Sequence, residues 1–143
     1  MRTVGYPCVE LAKTIATNAH EGQKRWGGEP YIIHPEAVAK TVAGYGWQYE
    51  AIAWLHDVVE DTPLTLGYLL DAGMPYETVC AVELLTHREE QTYLAYILEL
   101  RKHEMVRRIK LADIECNLND SKDMKNKNSV RDKWMLAAHI LSV

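Results

Sequence analysis

Four ionisable side chains fall within six positions of the stretch WLHDVVEDTP, residues 54–63: His56, Asp57, Glu60 and Asp61. On a helix turning about 100° per residue they occupy an arc of roughly 140°, a sector into which only Ala53 intrudes. Ile52, Trp54, Leu55, Val58 and Val59 fill the rest. A solvated, salt-bridged face would show the same pattern. However, no Lys or Arg occurs anywhere from residue 41 to 87, so the acids lack local partners. A bound cation accounts for the charge better. Adjacent His and Asp diverge by about 100° on a helix, which lets both reach one ion lying between neighbouring helices.

Further ligands stand at suitable places. His34 lies in YIIHPEAV at a predicted helix start, and Asp113 lies in IKLADIECNL. On its own helix Asp113 shares a face with Lys110 and Asn117, while Met105, Ile109, Ala112 and Cys116 form the stripe that faces the core. Two imidazoles and two carboxylates make a mixed nitrogen and oxygen set that suits Mn²⁺, Fe²⁺ or Zn²⁺ better than Mg²⁺ or Ca²⁺. Such a set leaves positions open for water and for a substrate oxygen. Of the other histidines, His20 reads as structural or as a support to a ligand; His87, His103 and His139 have no comparable context.

These residues need helices to carry them, and the dominant period of the chain is helical. Cys8, Leu11, Ile15 and Ala19 fall on one stripe, and so do Val38, Val42 and Tyr45. Residues 51–61 and 78–86 are apolar on most sides, as buried helices are. Tyr93, Ile97 and Leu100 mark another helix, and Val130, Trp134, Ala137 and Leu141 mark the last. Breaks fall at GGEP (27–30), GYG (44–46), DTP (61–63) and DAGMP (71–75). Residues 119–128, NDSKDMKNKN, read as a polar loop. No alternating strand pattern, internal repeat or linker interrupts this, so the expectation is an all-α single domain over residues 1–143.

Bulk properties agree with a soluble domain: 48% of residues are apolar and 25% charged. A net charge of −4 gives no electrostatic case for nonspecific binding to nucleic acid or membrane. No run approaches the roughly 18 apolar residues of a membrane span, and the N-terminus lacks the apolar region of a signal peptide. Three cysteines without a CxxC pair read as buried thiols in a reducing compartment, the cytoplasm. Oligomeric state is left open.

The order His34, His56-Asp57, Asp113 resembles the metal-ligand order of the HD-domain phosphohydrolases. The surrounding words are more specific than the dipeptide. AHEGQKRWGGEPYIIHP (19–35), LHDVVEDT (55–62) and IKLADIECNL (109–118) resemble the hydrolase domain of the RelA/SpoT family, especially its small stand-alone Mesh1-like alarmone hydrolases. The resemblance runs from about residue 8 to 141. It implies a compact helical HD-type fold, one Mn²⁺, and removal of the 3′-pyrophosphate from guanosine tetra- and pentaphosphate. It maps the metal ligands to His34, His56, Asp57 and Asp113, the paired catalytic acids to Glu60 and Asp61, and nucleotide contacts to Lys24, Arg25 and Asn117. No synthetase domain is expected.

A metal in that set lowers the pKa of a coordinated water towards neutrality and polarises the phosphoryl oxygen under attack. Glu60 and Asp61 follow one helical turn later. One is expected to orient or deprotonate the water and the other to protonate the leaving oxygen. Lys24, Arg25 and Lys110 would offset phosphate charge, with Lys110 reading equally well as a surface cation. Trp26, where the family usually has a basic residue, offers a face on which a base can stack; packing against the first helix is nearly as good a reading. Near the C-terminus SVRDKW departs from an Arg and Tyr one turn apart, leaving Arg131 or Lys133 as substitutes. These departures surround the nucleotide and spare the metal. They keep open a phosphohydrolase for another nucleotide, or a catalytically silent nucleotide-binding module.

Overall fold

A computed structural model describes residues 5–143; the first four residues of the expected domain lie outside the described residues. All regular structure described is helical apart from one isolated antiparallel bridge, Lys24 to Pro30. No described helix is long and apolar enough to cross a membrane. The chain falls into two compact units, Met1–Thr86 and His87–Val143.

The first unit holds α1 (Tyr6–Ala19), α2 (Ile33–Val42), α3 (Trp47–Leu55), α4 (Val58–Asp61), α5 (Leu66–Asp71) and α6 (Tyr76–Leu85). Its axis is α3, which packs against α1, α2 and α6. Ala51 through Leu55 are all buried, as a helix that is apolar all round must be. The face that α1 turns inward is Val9, Ala12, Ile15 and Ala16, one position over from the stripe expected from Cys8, Leu11, Ile15 and Ala19. Two fully buried alanines explain the difference: they let the α1 and α3 backbones approach closely. Gly5, which precedes α1, has φ +77°, and a Cβ there would collide with the Trp47 ring at the start of α3. Tyr45, expected on the inner stripe of α2, sits instead in a 3₁₀ turn, Ala43–Tyr45, with 55% of its surface exposed.

The second unit holds α7 (Tyr93–Arg101), α8 (Glu104–Asp120) and α9 (Asn128–Ser142), each packed on the other two. Tyr96, Ile97 and Leu100 are the buried residues of α7, so the inward aromatic is Tyr96 and not Tyr93. Helix α8 buries Val106, Ile109, Ala112, Asp113 and Ile114, a broader band than the expected stripe, and one that includes a carboxylate. Met105 and Cys116, expected inward on α8, and Val130 and Trp134 on α9 are only half-buried; α9 contributes Ala137 and Leu141. The expected polar loop is shorter than its sequence suggests. Helix α8 runs to Asp120, Lys125–Lys127 form a 3₁₀ turn, and α9 begins at Asn128. Arg131 closes this connection by donating to the Leu118 carbonyl and to Ser121 Oγ, both at 2.6 Å.

Candidate metal centre

The expected continuous helix over 51–61 is broken at His56 and Asp57. Helix α3 ends at Leu55 and α4 begins at Val58. The cause is local. In an unbroken helix the Ala53 carbonyl would accept from the Asp57 amide. Here it accepts from the His56 side chain, Nδ1 to O 2.6 Å, and from the His56 amide at 3.4 Å. Asp57 is left at φ −105°, ψ −2°, between helices. A carbonyl can only accept, so Nδ1 of His56 carries the hydrogen and Nε2 holds the lone pair that a metal would take.

Around this break three predicted ligands converge. His34, on the second residue of α2, and His56 are buried to 1% and 2% exposure, and Asp57 keeps 14% of its side chain exposed. Asp57 Oδ2 lies 3.1 Å from His56 Nε2 and 3.6 Å from His34 Nε2. The imidazole centroids stand 5.3 Å apart at 67°, and one ligand atom from each of the three residues falls within 4.8 Å of the others. Two imidazole nitrogens and a carboxylate oxygen, largely withdrawn from water, are the donor chemistry of a divalent transition-metal site. The residues present fit such an ion.

Glu60 and Asp61 follow on α4, and both are exposed. Although Asp61 is exposed overall, partial desolvation of its carboxyl raises its pKa to about 6, with the neighbouring Asp57 and Glu60 carboxylates adding to the rise and the Tyr31 hydroxyl opposing it. Asp113 sits in the core band of α8 within its own cluster. Lys110 Nζ donates to its Oδ2 at 2.7 Å, and Asn117 Nδ2 lies 3.5 Å from its Oδ1. Burial pulls the Lys110 pKa down, but the Asp113 carboxylate and the Tyr96 and Tyr93 hydroxyls outweigh it and hold the ammonium well charged. Lys110 is therefore an ion-pair partner of Asp113, with the Tyr96 ring 5.4 Å away, and not an exposed surface cation.

The loop before α2 is a small hairpin. Arg25 N–H donates to Glu29 O at 2.7 Å and Tyr31 N–H to Gln23 O at 2.8 Å, while Gly28 turns the chain at φ +95°. Arg25 is nearly buried, its guanidinium 4.2 Å from the Trp26 ring centroid and 5.8 Å from that of Tyr31. Trp26 remains 37% exposed, and Lys24 is exposed beside it. The two cations proposed as C-terminal substitutes are both engaged: Arg131 at the end of α8, and Lys133 over the Tyr93 ring at 4.3 Å. No disulfide joins the three cysteines, which are half-buried rather than buried.

Tyr31 and Gln23, which the sequence pattern did not single out, complete the surroundings together with His20. The Tyr31 hydroxyl donates to Asp57 Oδ2 at 2.6 Å and lies 3.3 Å from Asp61 Oδ2. Gln23 Nε2 donates to the Asp61 carbonyl at 2.9 Å, and its Oε1 accepts from His20 Nδ1 at 2.8 Å. His20 is buried, with its ring 4.8 Å from that of Tyr31. Burial lowers its pKa, which keeps it neutral. Nothing in the spacing of the sequence pointed to the Tyr31 hydroxyl.

No family model matches the chain. In sequence it is 41% identical over 116 residues to a guanosine-3′,5′-bis(diphosphate) 3′-pyrophosphohydrolase of Haemophilus influenzae, a match spanning 73% of this chain and 17% of that protein. It is also 55% identical over 56 residues, 38% of this chain and 8% of the relative, to the bifunctional (p)ppGpp synthase/hydrolase SpoT of Escherichia coli. Over 73% of its length the chain therefore resembles proteins of the RelA/SpoT hydrolase type. It spans only a small part of the length of these relatives, 17% and 8%. The helical fold is shared with a solved metazoan ortholog of SpoT, described as hydrolysing ppGpp. The two agree with a TM-score of 0.74 at 20% identity, over 94% of this chain and 83% of that one.

Proposed function

We propose that this RelA/SpoT-type chain is a metal-dependent phosphohydrolase that removes the 3′-pyrophosphate from guanosine tetra- or pentaphosphate, giving GDP or GTP and pyrophosphate. The observation that carries this is the convergence of His34, His56 and Asp57 in a buried corner where the main chain fixes one imidazole tautomer. The likeness to named ppGpp pyrophosphohydrolases supports the substrate. The proposed ion is a single Mn²⁺, with Fe²⁺ or Zn²⁺ compatible with the same donors, and Asp113 is proposed as its fourth ligand. When bound, it would supply a water acidified to near-neutral pKa and would polarise the phosphoryl oxygen of the group under attack.

The chain's own residues do the rest. Glu60 and Asp61 divide the proton work, one taking the proton of the attacking water and the other giving one to the leaving 3′ oxygen. Lys24 and Arg25 offset phosphate charge, the exposed face of Trp26 stacks on the base, and Asn117 contacts the nucleotide. Lys110 serves this site through Asp113, whose carboxylate it holds at 2.7 Å. The substrate is a small nucleotide; nucleic acid and membrane are not expected partners. The absence of disulfides is consistent with a cytoplasmic location.

A second reading keeps the reaction and changes the nucleotide. It is favoured by the engagement of Arg131 and Lys133 within their own unit, which removes both C-terminal cations from phosphate binding. The test is a screen of Mn²⁺-loaded protein against (p)ppGpp, (p)ppApp, NADPH and mononucleotides, with pyrophosphate and phosphate measured separately. Pyrophosphate and GDP from ppGpp are expected. Phosphate release from another nucleotide, with ppGpp intact, would establish the second reading.

A further inference from the structure

We infer that Tyr31 and Gln23 are positioning residues: together they clamp Asp61 against the Asp57 side of the metal centre. This rests on the metal-dependent reading above. The clamp has two points. Gln23 holds the main chain of Asp61 by donating to its carbonyl at 2.9 Å, and the Tyr31 hydroxyl stands between the carboxylates of Asp57, at 2.6 Å, and Asp61, at 3.3 Å. The two clamp residues are themselves tied, since Tyr31 N–H donates to Gln23 O at 2.8 Å. His20 braces both, through its Nδ1 hydrogen bond to Gln23 and the tilted contact of its ring with Tyr31.

The orientations are determined by donor counting. Gln23 Nε2 is the end that can donate to a carbonyl, so Oε1 faces His20, and His20 Nδ1 must carry the hydrogen. A Tyr hydroxyl has one hydrogen, which the two carboxylates share unequally: the shorter contact gives Asp57 the larger part and leaves Asp61 the weaker one. A carboxylate beside a metal is oriented by such an outer partner, and losing the partner typically lowers metal affinity or activity by about 10–100-fold. Asp61 itself lies on a four-residue helix and is exposed, so little else restrains it. The hairpin that carries Arg25 and Trp26 thereby also sets the distance between the ligand Asp57 and the acid Asp61.

The test measures Mn²⁺ binding by titration calorimetry beside kcat and KM for ppGpp. Tyr31→Phe deletes one oxygen and leaves the ring against His20. It is expected to weaken Mn²⁺ binding about 10–100-fold, lower kcat at saturating metal, and leave KM within about threefold. Gln23→Met removes the hold on the Asp61 main chain and the bond from His20, and leaves Tyr31 on Asp57; its Mn²⁺ affinity should stay near wild type while kcat falls. Tyr31→Phe carried on Asp61→Asn should lower kcat by less than the two single effects combined, because both act through one acid. Wild-type Mn²⁺ affinity and kcat in Tyr31→Phe would overturn the clamp, as would an unchanged kcat in Gln23→Met if Tyr31→Phe does not fold. Wild-type protein that takes up no Mn²⁺ would overturn the metal-dependent reading beneath it, whatever the variants do.

Discussion

The corner formed by His34, His56 and Asp57 and the turn holding Glu60 and Asp61 are neighbours in sequence but are held in different ways. The corner is buried, and its imidazole orientation comes from a main-chain carbonyl. The turn is exposed and restrained from outside, by side chains of a hairpin some thirty residues earlier. Asp113 offers a third arrangement, a buried carboxylate held by a lysine one turn back on its own helix. Ligands demand fixed, dehydrated geometry. Groups that move protons need water and a tunable pKa, so they are placed where both are available. On the proposed function, the contrast would separate residues that hold an ion from residues that act on the substrate.

The strongest way to break this division is at the corner. Asp57→Ala removes the carboxylate that both histidines face. It is expected to abolish metal uptake, about one ion per chain in wild type, and activity together, read by elemental analysis and pyrophosphate release. Full metal occupancy in that variant would sink the ligand assignment. Next in size, Glu60→Gln and Asp61→Asn should keep the ion while lowering kcat by roughly 10²–10⁴, the usual scale of a lost general acid or base. If either loses metal as Asp57→Ala does, it belongs to the corner.

Lys110→Met sharpens the contrast with Asp113 by leaving that carboxylate buried without its cation. The loss should be about 3 kcal/mol of stability, the low end for a broken buried pair because Lys110 keeps 16% of its side chain exposed. A fall in Tm on the order of 10 °C is expected by calorimetry. Trp26→Ala probes the exposed face of the hairpin. Loss of a stacked base should raise KM by roughly tenfold, with Tm little changed. A lower Tm with normal kinetics would return Trp26 to a packing role.

The smallest effect is one of pH. A carboxyl whose pKa rises from 3.8 to about 6 on folding binds its proton more tightly in the folded state. Its contribution is therefore present below pH about 4 and is lost as pH rises through about 6. Exposure of Asp61 to water keeps the contribution small. Metal-free wild type should lose Tm across that window, and Asp61→Asn should flatten that part of the profile. An identical slope in both proteins would assign the pH dependence to another group.

Much of this was legible in the chain itself. Helical periodicity located the regular elements, because the 3.6-residue repeat is a local property. The types and order of His34, His56, Asp57 and Asp113 pointed to a metal, because few side chains can ligate a borderline cation, and the fold gathers a cluster able to hold one. What the periodicity could not reveal is where side chains compete with the backbone. His56 captures the Ala53 carbonyl and ends the helix that an ideal wheel would continue, which brings Asp57 Oδ2 to 3.1 Å from His56 Nε2. The inward face of α1 shifted by one position because two alanines allow a close approach to α3, a fact about the partner helix as much as about α1. The role of Tyr31 was equally invisible. Its hydroxyl acquires meaning only when the fold sets residue 31 beside residues 57 and 61, and such long-range neighbours are decided by tertiary packing.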